Sequence, residues 1–433
     1  MIHRIELLAP AGDFEKLKYG LAYGADAIYA GIPRYSLRAR ENDFTAETIE
    51  QAVHYCHSRN KKIYLTLNIF PHNSKIESFK KTLSWMSGLK PDAVILSDPG
   101  VILLAKELCP RIPIHLSTQA NTVNWVSVRF WKELGVSRII LSRELTITEI
   151  EEIRQKVPGI ELECFVHGSI CVAYSGRCLL SNYFSYRDSN QGTCTNSCRW
   201  SYRLYQNDRN SNEKNNAFAQ NYFLEETERP GQFMPVDEDE HGSYIMNSKD
   251  LCAIRLLDKL ADAGVNSFKI EGRSKSVYYV SVTVRAYRRA LDNLQAGKSY
   301  DSAPEQELFT IANREYITGF FERNPGSSGE NYLDSRPGNC SHQYCGIVRS
   351  TDKGKKQMKV SVRNRFQTGE ELELITPRSS QPFTVESIYT FEGEKIETTH
   401  GGSEDVVLPY QDDPGEFGLL RRKIKAAVIK TLE

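Results

Sequence analysis

Four cysteines, Cys171, Cys178, Cys194 and Cys198, stand within 28 residues of one another, in the stretch ECFVHGSICVAYSGRCLLSNYFSYRDSNQGTCTNSCRW. Their neighbours are Gly, Ser, Asn and Arg rather than an apolar run. A thiol kept for packing behaves as a small buried hydrophobe. Thiols gathered in polar sequence point instead to ligands around one centre. The spacing is Cys-x6-Cys-x15-Cys-x3-Cys. Structural zinc sites use two tight Cys-x2-4-Cys knuckles, and the first pair here is too wide for one. Thiolates also hold iron–sulfur clusters, four sulfurs to a cube. The spacing favours a 4Fe–4S cluster over zinc, with a disulfide third. Cys164 lies in an apolar strand and reads as core; Cys56, Cys109, Cys252, Cys340 and Cys345 have no spacing that suggests a second centre.

A second set of polar residues recurs at every other position of strand-like segments: Glu6; Tyr64, Thr66 and Asn68; His115, Ser117 and Gln119; Glu163 and His167; Lys269, Glu271 and Arg273. Side chains two apart on a strand share a face. The opposite face of these segments is Ile, Leu, Val and Phe. Such a polar face lines a substrate cavity or forms a buried, internally satisfied network; the pattern across five strands favours the cavity.

The elements that position these groups repeat one order over the first 170 residues: an apolar strand, a turn, an amphipathic helix. Strands are expected at 5–9, 27–30, 62–69, 93–97, 114–119, 138–142 and 160–167, and an eighth at 267–271. Asp13, Thr45 and Thr148 can open helices, and residues 250–263 read as a helix ending at Gly264. Eight such units predict an α/β fold of the TIM-type (β/α)8-like barrel class, with its site at the C-terminal mouth of the strands. An open doubly wound sheet is the alternative. Residues 1–323 would form the barrel. A cysteine-bearing insertion spans about 171–248 and shows no clear helix or strand period, as a functional connection of that length can.

A Gly/Pro/Ser-rich linker occupies 324–339. Residues 340–433 then alternate apolar and polar at 344–348, 359–363, 371–375, 383–388 and 406–408, the pattern of a small β-barrel or sandwich domain. Lys353, Lys355, Lys356, Lys359, Arg363, Arg365 and the run RRKIK at 421–425 cluster there. Either a solvated face protected by lysines or contact with a phosphate backbone accounts for them.

Lys plus Arg equal Asp plus Glu at 55 each, so any nucleic-acid contact has to be a local patch. No apolar run reaches the ~18 residues of a membrane span, and no secretory leader is legible, so a cytoplasmic protein is expected and clustered thiols bind metal there more often than they pair. No His-Glu-x-x-His, Gly-x-Ser-x-Gly or phosphate-cradling Gly-rich loop occurs.

The run Glu163-x-Phe165-x-x-Gly168-Ser169-Ile170-Cys171-x4-Gly176-x-Cys178-x-Leu180-Ser181 resembles the full signature of the collagenase-like peptidase family U32, as do ELLAPAGD, YGADAIYAG and FKIEGRSKS. The segments YSLRARENDF, HLSTQANTVNW, LSRELTITEIEEI and DEHGSYIMNSKDL resemble a tRNA-hydroxylating branch of that family. The resemblance implies a 4Fe–4S protein that installs the 5-hydroxyl of wobble uridine in the anticodon region of tRNA, with prephenate as co-substrate and no molecular oxygen. Hydroxylases of ribosomal RNA cytidine or of ubiquinone precursors, and a peptidase, are the alternatives. On this reading Cys171, Cys178, Cys194 and Cys198 hold the cluster. His167, Glu163, Lys269 and Glu271 are the catalytic candidates, and Arg38, Asn68, Gln119, Arg143 and Arg273 bind substrate. The plain alternatives stay open: ion pairing with Glu144 or Glu271 for Arg143, and a core role for His167.

Overall fold

Short parallel strands close into a ring because each is followed by a helix whose apolar stripe covers it. The computed structural model describes residues 4–37, 42–170, 192–200, 202–206, 222–227, 230–231, 233–236, 238–239, 242–243, 248–323 and 340–424. The barrel strands are β1 (Glu6–Ala11), β2 (Ala27–Gly31), β3 (Lys62–Thr66), β4 (Ala93–Leu96), β5 (Ile114–Leu116), β6 (Arg138–Ile140), β7 (Glu161–Ser169) and β8 (Ser267–Ile270). Every neighbouring pair is parallel, and β8 pairs with both β7 and β1, which closes the barrel. The helices between them are α1 (Phe14–Ala22), α2 (Ala46–His57), α3 (Asn73–Leu89), α4 (Pro99–Leu108), α5 (Trp125–Glu133), α6 (Ile147–Lys156) and α7 (Leu257–Asp262), with α8 (Val277–Gln295) after β8.

The helix starts are set by side chains that satisfy otherwise orphaned N–H groups. Asp13 accepts from the Lys16 N–H at 2.7 Å, and Thr45 and Thr148's neighbour Thr146 each form a reciprocal capping box. Thr146, not Thr148, opens α6, because Glu149 three residues on returns the bond to the Thr146 N–H at 2.8 Å. Gly264 closes α7 at φ +85, a left-handed conformation that a Cβ would strain. Ile28, Ile63, Val94, Ile139, Leu162 and Phe268 form one side of the core, met by Leu17, Ile49, Leu83, Val128, Ile153 and Val280 of the helices.

Two sequence expectations change around the insertion. Residues 250–263 are not one helix. Asp250–Cys252 is a strand antiparallel to β7, and only α7 is α-helical. β7 is nine residues long and outruns β6, whose last partner on it is Glu163; this segment fills the edge left beyond that point. The insertion also holds an antiparallel sheet of Tyr202–Gln206, Tyr222–Glu226 and Phe233–Val236. Its strands are too short for their alternation to stand out in sequence. The proposed linker at 324–339 lies outside the described residues.

The C-terminal unit is an eight-stranded antiparallel sheet containing β9 (His342–Asp352), β10 (Gln357–Val362), β11 (Glu371–Ile375), β12 (Ser380–Thr384), β13 (Val406–Pro409) and β14 (Leu419–Lys423). It has its own core of Val348, Met358, Val360, Phe366, Leu374, Ile388, Leu408 and Leu420. It meets the barrel through polar bolts. The Tyr23 hydroxyl donates to the Phe417 carbonyl at 2.8 Å. Arg285, 2% exposed on α8, donates to the carbonyls of Thr376 at 2.7 Å and Ser379 at 2.9 Å and pairs with Glu307. Arg421 donates to Thr310 Oγ1 at 2.7 Å and pairs with Glu373 at 2.8 Å.

That last bolt corrects the reading of RRKIK as a surface run. Its first residue lies on β14, between β9 and β11, and is buried against the barrel. Lys353 and Lys359 are also engaged, with Asp413 at 3.0 Å and Asp405 at 3.2 Å. Lys355, Lys356, Arg363 and Arg365 remain exposed. Among the described residues no helix is long and apolar enough to cross a membrane.

Candidate active site in the barrel lumen

The lumen is filled from below by charge. Glu6 opens β1, Arg138 opens β6 and Ser267 opens β8, so they share the lower layer. Arg138 Nη1 lies 2.6 Å from Glu6 Oε1 and 3.1 Å from Glu163 Oε2. Glu163 turns its other oxygen, Oε1, to Lys269 Nζ at 2.7 Å. The Tyr64 hydroxyl donates to Glu6 Oε2 at 2.6 Å and Ser267 Oγ to Oε1 at 2.9 Å. Glu163 is 0% exposed, Arg138 and Lys269 3% each. Burial alone would raise the Glu6 carboxyl, but Arg138 and its hydrogen bonds hold it below the usual range. Burial pushes the Lys269 ammonium down, against the pull of Glu163 and with the help of Arg273 and Arg138. His115 packs edge-on to Tyr64 at 4.7 Å, and burial with Arg138, Lys269 and Lys62 nearby keeps it neutral, well below 6.5.

Above this layer the wall is aromatic and cationic. Lys269 Nζ sits 4.3 Å from the Tyr29 ring centre and 5.3 Å from that of Phe165. Arg143 stacks on the same Phe165 ring at 4.2 Å, and Arg273 lies over the same Tyr29 ring at 5.9 Å. A cation over a ring face is held by the ring quadrupole while keeping its hydrogen-bonding edge available. Arg143 therefore takes neither of the two ion-pair roles considered from sequence as its described contact; it lies on Phe165.

The mouth is lined by amides and hydroxyls. Asn68 Nδ2 donates to Ser117 Oγ at 3.1 Å, while its Oδ1 accepts the Leu37 N–H at 3.1 Å. Arg273 Nη2 donates to the Leu37 carbonyl at 2.5 Å. Asn68 and Arg273 thus grip Leu37 from both sides and fix the β2–α2 loop on the rim. Gln119 lies half-buried on the short 3-10 turn after β5. Ser142 Oγ donates to Asn121 Oδ1 at 3.2 Å beside it. Glu271 follows β8, its N–H donating to the His167 carbonyl at 2.9 Å.

His167 is placed differently from its expectation. The β7–β8 register slips between Lys269 and Ile270, so Phe165 pairs with lumenal Lys269 but His167 pairs with Ile270, which faces the helices. A one-residue slip turns a side chain to the other face. The His167 ring lies in a cage of Tyr279, Tyr287 and Tyr316, with centres 5.3–5.9 Å away. The next residue, Gly168, has φ +109, and a Cβ there would come within 2.9 Å of Glu271. Burial, then Lys275, push the imidazole down to about 3, and Glu271 opposes them weakly.

The sign of the pH effect follows. Unfolded His167 titrates near 6.5 and folded His167 near 3, so the unfolded chain binds the extra proton between those values. Stability present above pH 6.5 is lost as pH falls toward 3, by about 2 kcal/mol at pH 5 from this residue. His167→Gln is expected to flatten that acid limb. Urea midpoints at pH 7 and pH 5 measure it; an equal acid loss in the variant contradicts the assignment.

Cys194 precedes a 3-10 turn, Ser197–Arg199, and Cys198 lies within it. The Cys194 sulfur is exposed and accepts the Asn196 N–H at 3.4 Å. An amide aimed at a solvent-facing sulfur suits a thiolate ligand, since such hydrogen bonds stabilise charge on cluster sulfurs. The two described thiols fit a metal–sulfur centre. Cys171, Cys178 and Arg38 lie outside the described residues, and no group of three or more ligating side chains occurs among the described ones. By contrast, burial pushes Cys56 and Cys252 up to about 12.

Sequence reasoning missed Arg138, Tyr29, Phe165 and the tyrosine cage. Arg138 was legible: it precedes Ile139 and pairs beside His115, so alternation counted from the strand's first residue puts it in the lumen. The cage depends on the register slip, which no local pattern announces.

The family model described as "Peptidase family U32" matches residues 12–331, and that described as "Peptidase family U32 C-terminal domain" matches residues 340–421. The chain is 44% identical over 437 residues to the "tRNA hydroxylation protein P" of Escherichia coli (strain K12), covering 96% of each. It is 37% identical to the "tRNA hydroxylation protein P1" of Bacillus subtilis (strain 168), covering 90% of this chain and 88% of that one. It is 29% identical to a "Collagenase" of Porphyromonas gingivalis (strain ATCC BAA-308 / W83), over 79% and 77%.

Proposed function

This chain belongs to peptidase family U32, and on that premise we propose that it is a tRNA hydroxylase working in the barrel lumen. The observation that carries the reading is the end-to-end likeness to tRNA hydroxylation protein P, which spans barrel and C-terminal sheet alike. The finer reaction is 5-hydroxylation of the wobble uridine with prephenate as co-substrate.

Several features support it. A base must leave its stack to be modified, and a lumen whose mouth carries Asn68, Gln119 and Asn121 offers amides for the alternating donor and acceptor edge of uracil. Arg143 and Arg273 present guanidinium groups to carboxylates, and Arg38 would join them from the loop that Asn68 and Arg273 fix. Exposed Lys355, Lys356, Arg363 and Arg365 of the C-terminal sheet would meet tRNA phosphates. Cys171, Cys178, Cys194 and Cys198 would hold a 4Fe–4S cluster. When bound, it would supply one-electron chemistry.

A peptidase role has no supporting geometry among the described residues. His167 and Cys252 share the Tyr287 hydroxyl, at 3.4 and 3.9 Å, but both are sealed in the core and the thiol is held protonated.

The test is nucleoside mass spectrometry of tRNA from cells lacking this gene and from the same cells carrying it. Derivatives of 5-hydroxyuridine are expected to vanish and return. Levels that do not change with the gene overturn the assignment.

A further inference from the structure

Lys269 has more around it than a structural ion pair needs. Its amine is the uppermost charge of the buried network, with Glu163 Oε1 beneath it at 2.7 Å and the faces of Tyr29 and Phe165 beside it. Two further cations, Arg273 and Arg143, lie against those same two rings. A network that only balanced charge would not gather three cations against two aromatic faces, one of them also paired with a buried carboxylate. This is the setting that makes a lysine nucleophilic: desolvated, next to other cations, and in contact with one carboxylate that can take its proton.

We propose that Lys269 is a carbonyl-reactive lysine that condenses with a 2-oxo carboxylic acid bound in the lumen, forming an imine. The flanking guanidinium groups select the carboxylate, and their fork geometry matches it. The rings of Tyr29 and Phe165 take the apolar part of the acid. This deepens the reading of the lumen as the reaction site and rests on it.

The step balances without an oxidant. Glu163 takes one proton from the ammonium of Lys269. The Nζ lone pair attacks the keto carbon, the carbon–oxygen π pair moves to the oxygen, and a proton passed from the attached nitrogen makes that oxygen a hydroxyl. That hydroxyl leaves as water with a proton returned through Glu163, and the carbon–nitrogen double bond forms. Nothing is oxidised or reduced. The depressed affinity of Lys269 for its proton, caused by burial and the neighbouring guanidinium groups, favours the first transfer.

Borohydride trapping tests it. The full-length protein is incubated with pyruvate or phenylpyruvate, reduced with sodium borohydride and mapped by peptide mass spectrometry. A secondary-amine adduct is expected on the peptide carrying Lys269, and none with lactate, which has no carbonyl. Lys269→Arg keeps a cation beside Glu163, and its fold is checked by circular dichroism. That variant is expected to lose the adduct. Arg273→Lys is expected to weaken trapping by pyruvate but not by acetone, which lacks the carboxylate. Absence of an adduct, or adducts spread over surface lysines and retained in Lys269→Arg, overturns the proposal. Trapping needs no tRNA, so a Lys269 adduct in a protein that leaves tRNA unmodified would sink the hydroxylase reading and leave this one standing.

Discussion

Arg138→Met is expected to destabilise the protein by about 3–5 kcal/mol, the cost of breaking a buried ion pair from one side. Arg138 is the only described cation touching both Glu6 and Glu163. Removing it leaves Glu6 with its hydrogen bonds from Tyr64 and Ser267 and a long ion pair with Lys62 at 3.8 Å, and Glu163 with Lys269 alone. Glu163, 0% exposed, cannot reach bulk water to recover its solvation, and Glu6 is only 12% exposed. A methionine fills most of the space, so the loss is electrostatic rather than a cavity. The pH dependence gives a second signature. In the native protein, Arg138 holds the Glu6 carboxyl low, so its contribution is present above the ordinary carboxylate range and fades as pH falls through the folded value. In the variant, Glu6 loses that cation and burial raises its carboxyl, so protonation relieves it and the gap to wild type narrows as pH drops. Urea denaturation at pH 7 and pH 5 measures both effects. A variant within about 1 kcal/mol of wild type at pH 7 would mean that the lumen floor is wetter than its burial implies.

Cys194→Ser and Cys198→Ser are each expected to abolish tRNA hydroxylation and the visible absorption of an anaerobically purified protein. Hydroxyl oxygen is a poor substitute for thiolate at a cluster, and three ligands hold a cube weakly. Cys252→Ala serves as the control. That thiol is buried, held protonated and hydrogen-bonded through Tyr287, so its loss should leave the colour intact. Inductively coupled plasma analysis separates the possible metals. Stoichiometric zinc in a colourless protein would replace the cluster with a structural site, and retention of iron in both serine variants would remove Cys194 and Cys198 from the ligand set.

The barrel was legible because its signals are local and repeated. Each strand is a short apolar run, and Asp13, Thr45 and the Gly264 joint mark helix ends in the residues themselves. Where the sequence misleads, the cause is tertiary pairing. Residues 250–252 look helical because their apolar spacing continues into α7, yet the free edge of β7 draws them into a strand. His167 looks lumenal because alternation assumes an even register, and the slip beside Ile270 breaks it. Arg421 looks like surface charge because its neighbours are charged, but its strand is third in from one end of the sheet and faces α8. Of the candidate site, Asn68, Lys269, Glu163 and Arg273 were found by period two alone. The aromatic rings between them were passed over because Tyr and Phe in a strand usually mean packing.

The polar joint between barrel and C-terminal sheet has a mechanical consequence. A hinge needs an interface that separates at low cost, such as a small and well-hydrated one. Swinging this sheet away would strip Arg285 of two carbonyls and Arg421 of the Thr310 hydroxyl, and would undo several well-formed bonds at once. The two halves are therefore expected to move as one piece.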